Sequence, residues 1–237
     1  KYLPRTLAHA IINRRLAILA RKEGAPFVSG SAGAGEAHRF YRQSIITLTC
    51  RQDQWREALG VADQELRRAL EHGFQPAELQ EVVANVRNSF EQAAKTAATR
   101  RSGDLADSLA ESLLDREVFT TPADDLALFA PALEKVTVAD CLAALRETWS
   151  PKHRLVMVTG NAELPAGDQA LATIANVFKA SNAIAVSPPE ALAEAKWAYT
   201  DFGAPGKVTE RKHVADLDVT LLTFANGVRL NLKKTDF

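Results

Sequence analysis

Five histidines, His9, His38, His72, His153 and His213, are the first residues to test for chemistry. A zinc centre takes three or four N, S or O ligands, and many enzymes set two of them one helical turn apart, as in HExxH or its inverse HxxEH. None of the five stands in either pattern, so no helix supplies a paired ligand set, and no catalytic, cofactor-binding or metal-ligating residue is assigned. The two cysteines, Cys50 and Cys141, fit no metal spacing. Sequence leaves them open as bonded or free, and their plainer reading is as small buried hydrophobes. Ser29, Ser31 and Ser44 have no neighbouring base that would make a nucleophile of them. Gly30, Gly33 and Gly35 are not followed by Lys-Ser/Thr or by a helix, so they make no phosphate loop and read as a flexible hairpin loop. Trp55, Trp149 and Trp197 read as core or interface anchors.

The chain that must carry these residues has 237 of them, 46% hydrophobic and 24% charged, with 29 basic against 29 acidic side chains. That is the composition of an ordinary globular protein, with enough apolar surface for a sizeable core. Zero net charge and the absence of a basic block argue against a nucleic-acid partner. No run of about 18 apolar residues spans a membrane, and no signal peptide is visible. The helix-like pattern begins within a few residues of Lys1, and the chain stops at Phe237 just after a strand pattern, so both ends read as cut.

Apolar spacing through Leu3, Leu7, Ile11 and Ile18 predicts a helix from about residue 3 to Lys22, ended by Gly24. A hairpin follows, with its β-favouring run at Tyr41 to Cys50. Further helices are predicted over Asp53–Gly73 and from Pro76 to about Arg101. Others follow from Asp104, read as the cap, to about Glu117, from Thr121-Pro122, over Val138–Thr148, and over Asp168–Ala180. His153 to Gly160, with Leu155, Val156, Met157 and Val158 in sequence, reads as a buried strand. From Val186 to about His213 the pattern dissolves among prolines and glycines, with one possible helical patch at Pro189–Lys196. Asn226-Gly227 between two β-like runs then predicts a tight hairpin in which both turn residues take positive φ. The fold class expected is α+β, with helices packed on one face of a mostly antiparallel sheet. The domain plan is 1–183 as the main domain, 184–216 as linker and 217–237 as the first hairpin of a further domain.

This order of elements, and the segments Asn13-Arg14-Arg15-Leu16, Leu19-Ala20-Arg21 and Ala25-Pro26-Phe27, resemble the insulinase/pitrilysin family of zinc metallopeptidases. So do Glu65-Leu66, Gly73-Phe74, Glu78-Leu79 and Val158-Thr159-Gly160. The tail, Phe224 to Phe237 around Asn226-Gly227, resembles the start of the next half of such a protein. The resemblance implies two similar halves, each of two related α+β domains, closing around an unfolded peptide. Zinc chemistry would belong to another domain, and this chain would be the non-catalytic second domain of one half, lacking its first strands, plus the linker.

Leu7-Ala8-His9-Ala10-Ile11-Ile12-Asn13 has the frame of the family's metal helix, but Ile12 and Asn13 stand where the motif needs Glu and His. Glu91, on a later helix, stands near where a third ligand would be expected. An ordinary amphipathic helix is the preferred reading over a decayed metal site. The partners the resemblance implies are the catalytic domain and second half of the same protein and an unfolded peptide substrate. The exposed terminal hairpin adds a second copy of the chain. Three functions remain open: a chamber-forming part of an active peptidase, a domain of an inactive homologue serving as a binding or scaffold subunit, and an unrelated helical interaction module. Bacterial members of this kind are often exported, so periplasm or cell envelope is expected.

Overall fold

The computed structural model describes residues 2–37, 40–150, 153–191 and 200–235. The chain divides into two compact units, Lys1–Leu192 and Ala193–Phe237.

The first unit is α+β. Helix α1 (Tyr2–Ala20) buries Leu7, Ala8, Ile11, Ile12 and Leu16. It packs on an antiparallel hairpin of β1 (Phe27–Ala37) and β2 (Tyr41–Cys50). The glycine-rich stretch Gly30–Gly35, expected as a hairpin loop, is the middle of β1, with Gly30 opposite Leu48 and Ala32 opposite Ile46. Small residues are required here by packing rather than by a turn. A Cβ at Gly30 would collide with the Leu48 side chain and press within 3.4 Å of Leu16. Asn13 locks α1 to the same strand, its side-chain N–H donating to the Ala32 carbonyl (3.0 Å) and its oxygen accepting from the Ala32 N–H (2.5 Å).

Six more α-helices follow among the described residues of the unit: α2 (Trp55–His72), α3 (Pro76–Lys95), α4 (Ser102–Asp115), α5 (Pro122–Leu133), α6 (Val138–Thr148) and α7 (Asp168–Asn182). Their starts follow local chemistry. Pro76 opens α3 where its missing N–H costs nothing, and the Glu78 carboxylate accepts from the Gln75 N–H at 2.8 Å. Thr121 and Thr137 cap α5 and α6 by accepting from the N–H of Asp124 and Asp140. Leu133, Cys141, Leu145 and Trp149 join α1, Phe27, Ala58, Leu66 and Leu79 in one core. Through it runs a buried ion pair: Arg15 donates from Nε to Glu78 Oε1 (2.6 Å), and from Nη2 to Glu78 Oε2 (2.7 Å) and the Gly73 carbonyl (3.0 Å).

Four expectations are corrected here. The long third helix ends at Lys95, and a short 3-10 turn at Ala97–Thr99 separates it from α4. Asp104 is not the cap of α4 but sits in its first turn, with Arg101 at the cap position. Cys141 is buried but Cys50 is exposed, and both are free thiols. Residues 153–160 form no strand, and Leu155 (94% exposed) and Met157 (75%) face solvent. A strand that is apolar on both faces needs neighbours on either side, and among the described residues none pairs with this one.

The second unit holds a three-stranded antiparallel meander of β3 (Val208–Val214), β4 (Val219–Phe224) and β5 (Arg229–Leu232). Strand β3 falls where the pattern reads as dissolved, because Thr209 to His213 carries no apolar residue and Val208–His213 stays exposed. The hairpin at Asn226-Gly227 is present, but of the two turn residues only Gly227 has positive φ (83°). The Gly227 N–H donates to the Phe224 carbonyl and the Phe224 N–H to the Val228 carbonyl, both at 2.9 Å, closing a three-residue loop rather than the expected two-residue turn. Residues 192–199, with Trp197 and most of the Pro189–Lys196 patch, lie outside the described residues, as do His38 and Phe237.

Candidate functional site

The first unit contains a cavity of about 710 Å3. One wall is β2 around Ser44 to Ile46, another is the end of α6 with Thr148 and Trp149, and a third is the extended segment His153–Met157. Leu59, Ala62 and Leu66 of α2 supply apolar lining. β2 pairs with β1 along one edge, and among the described residues no strand pairs with its other edge. The cavity is lined by residues of both strands of this hairpin and by an apolar segment that pairs with no strand among the described residues.

His153 lines the cavity, and three other polar lining side chains, Ser44, Asp63 and Arg154, are held in structural contacts. The Ser44 hydroxyl donates to the Thr148 carbonyl at 3.2 Å, tying β2 to the end of α6. Asp63, at the edge of the cavity, accepts from the Ser181 hydroxyl (2.6 Å), the Asn182 amide (3.2 Å) and Arg67 Nε (3.2 Å), fastening α2 to α7. Arg154 stacks over the Trp149 ring at 5.4 Å and donates to the Trp149 carbonyl at 2.9 Å.

His9 is buried behind this wall. Its Nδ1 lies 2.8 Å from the Arg5 carbonyl and its Nε2 lies 3.3 Å from the indole Nε1 of Trp149. The indole can only donate, so Nε2 is the acceptor and the proton sits on Nδ1, donating to Arg5. Burial, together with the nearby Arg5 charge, lowers the pKa of His9 below its ordinary 6.5 despite the Arg5 carbonyl bond. With both ring nitrogens engaged, His9 has no lone pair for a metal. Ile12 is buried in the core and Asn13 is bonded to Ala32, so this helix face does not fit a zinc site. Among the described residues no three His, Cys, Asp or Glu side chains group as a metal would need. Burial and the neighbouring Asp140 raise the Cys141 thiol to about 11, so at neutral pH it is an inert thiol.

Sequence reasoning placed Arg15 and Glu78 in separate segments of a resemblance without seeing that they meet. Nor did it join His9 to Trp149, 140 positions away. The only signal available was the presence of Arg15 and His9 on the otherwise apolar face of α1.

Among the described residues no helix is long and apolar enough to cross a membrane. No protein-family model and no curated protein match the chain. Solved structures do. The periplasmic protease PqqL of Escherichia coli is 20% identical over 99% of this chain, with a TM-score of 0.61. A predicted insulinase family protease of Yersinia pestis is 17% identical over 77% of it, with a TM-score of 0.62. The ferredoxin protease FusC, solved as a mutant in complex with Arabidopsis ferredoxin, is 14% identical over 99%, with a TM-score of 0.57. The chain spans 26% of the PqqL and FusC chains and 39% of the Yersinia chain. At these identities what is shared is architecture: the chain has the α+β fold of a portion of insulinase-type proteases.

Proposed function

We propose that this chain is a non-catalytic part of an insulinase-type zinc metallopeptidase, forming one wall of the chamber that holds an extended peptide. One observation carries the reading: the β1–β2 hairpin, with β2 unpaired on its second edge among the described residues, lines a large, partly apolar cavity together with Leu155–Met157, part of a segment that looks like a central strand yet has no strand neighbour among the described residues. Such a site recognises polypeptide backbone in extended form, by β-addition, rather than a small polar substrate. Ser44, Asp63 and Arg154 hold the wall in place through hydrogen bonds to neighbouring elements. The likeness to the folds of PqqL, FusC and the Yersinia protease supports reading the chain as part of a peptidase, and placing zinc and hydrolysis in another domain rests on the family resemblance of the sequence. The likeness also supports a periplasmic setting, from PqqL.

Two measurements test this. The isolated chain is expected to cleave no unstructured peptide, with or without added zinc; chelator-sensitive cleavage by it would overturn the assignment. In the full-length protein, a photo-crosslinking residue at Ile45 or Met157 is expected to capture an unfolded peptide. Normal cleavage with no capture at either position would remove the wall role. The alternative, a domain of an inactive homologue acting as scaffold, gives capture without cleavage by the full-length protein.

A further inference from the structure

His9 and Trp149 are both buried, 5% and 9% exposed. The Trp149 indole N–H donates to His9 Nε2 at 3.3 Å, and His9 Nδ1 donates to the Arg5 carbonyl at 2.8 Å. Trp149 belongs to the core cluster and also lines the cavity, so one side of the ring is packed and another meets open space. Arg154 lies over the same ring at 5.4 Å and donates to the Trp149 carbonyl at 2.9 Å, which ties the wall segment 153–157 to the indole.

This pairing requires a neutral His9. An indole N–H donates and never accepts. A proton on Nε2 would set two donors face to face, and a positive charge against the positive edge of the indole. Arg5 is the charge that bears on the imidazole, and it opposes protonation. The elements packed on α1 are β1, α2, α3 and α6. The described side chains of β1 carry no charge. On α6, Asp140 accepts from Thr137, Arg146 donates to the Leu70 carbonyl, Glu147 lines the cavity and Cys141 is a neutral thiol. On α2, Asp63 and Glu65 pair with Arg67 and Arg68; on α3, Glu78 and Glu81 pair with Arg15 and Arg14. Cys141 and Leu145 fill the core that the indole joins, so its room to turn is on the cavity side.

We propose that His9 and Trp149 form a pH-sensitive latch on the cavity: protonation of His9 at Nε2 breaks the pair, and the indole turns out of the core into the cavity and obstructs an extended peptide there. That the occupant is a peptide rests on the function proposed above; the movement of the indole does not. By linkage, an occupant that holds the indole against His9 also opposes protonation of His9.

The test uses the full 237-residue chain. The Trp149 indole N–H resonance, identified by its loss in Trp149→Phe, is expected to shift together with the His9 ring signals at one midpoint below 6.5, with circular dichroism unchanged. Amide exchange in residues 153–157 should quicken over the same range. A capped, rhodamine-labelled peptide of Val, Thr and Ser has no titrating side chain. It should bind about tenfold more weakly at about pH 5 than at about pH 7.5. His9→Gln keeps an acceptor for the indole and a donor for the Arg5 carbonyl but gains no proton, so its indole signal and peptide affinity should stay level. An indole signal that ignores His9, or an equal acid response in His9→Gln, overturns the latch. So does loss of circular dichroism at the same midpoint, since the event would then be unfolding, or a constant peptide affinity while the indole moves. Peptide binding at neither pH would overturn the peptide-wall reading instead, and the indole and exchange signals would still decide the latch.

Discussion

Arg15 and Glu78 are 7% and 2% exposed, and their pairing joins α1 to the start of α3. The pair is tight but not complete, because Arg15 Nη1 is buried without a partner. Glu78→Ala would strand the guanidinium in the core and is expected to destabilise the chain by about 3–5 kcal/mol in urea titration. The double change Arg15→Met with Glu78→Leu should cost much less, because it removes both charges together. His9 gives a second prediction at this scale. Its folded pKa lies below 6.5, so as pH falls the unfolded chain takes up the proton first. Its contribution to stability is therefore full above 6.5 and lost as pH falls through 6.5 toward the lower folded value. Protonated Nε2 would also face the indole N–H donor to donor. The urea midpoint should drop between about pH 7.5 and pH 5 by more in the native sequence than in His9→Gln. Equal drops would mean that other groups carry the acid sensitivity.

At the scale of elements, β1 shows how a strand can be hidden in a glycine-rich stretch. Ser29 to Gly35 carries almost no β propensity, yet it pairs residue by residue with β2 because α1 needs close approach over it. Gly30→Val is expected to cost about 1–3 kcal/mol by overpacking against Leu48 and Leu16, read as a lowered midpoint. The opposite case is Arg116, where the backbone is strained by a Cβ it does not need. Arg116→Gly should relieve about 1 kcal/mol at the left-handed cap and slow amide exchange near residues 112–117. Faster exchange there would show that the arginine side chain itself holds the turn.

For the molecule as a whole, the core cluster among the described residues runs from Leu7 to Trp149, all within the first unit. A chain ending at Ala191 is therefore expected to keep the unfolding midpoint of the first unit. A large loss of stability would mean that the core depends on residues beyond it. The same truncation tests the terminal strands. Leu230 and Leu232 of β5 are 40% and 49% exposed on an edge strand, and pairing between copies through that edge would appear as a sedimentation coefficient falling on truncation to the monomer value. An unchanged monomer would exclude it.

Helical spacing, proline and threonine starts, and the Asn-Gly hairpin are local chemistry, and from the sequence alone they placed α1, α2, α5, α6, α7 and the β4–β5 turn within a few residues. The α+β class followed from their order. Partnership was not local. Whether Gly30–Gly35 is loop or strand depends on Leu48 and Leu16. Whether Leu155–Val158 is a strand depends on neighbours that no described residue supplies. That His9 is a hydrogen-bonded core residue depends on Trp149 being brought against it. Those outcomes required the tertiary structure, because hydrogen-bond pairing and burial are properties of two surfaces while periodicity in a sequence reports only one.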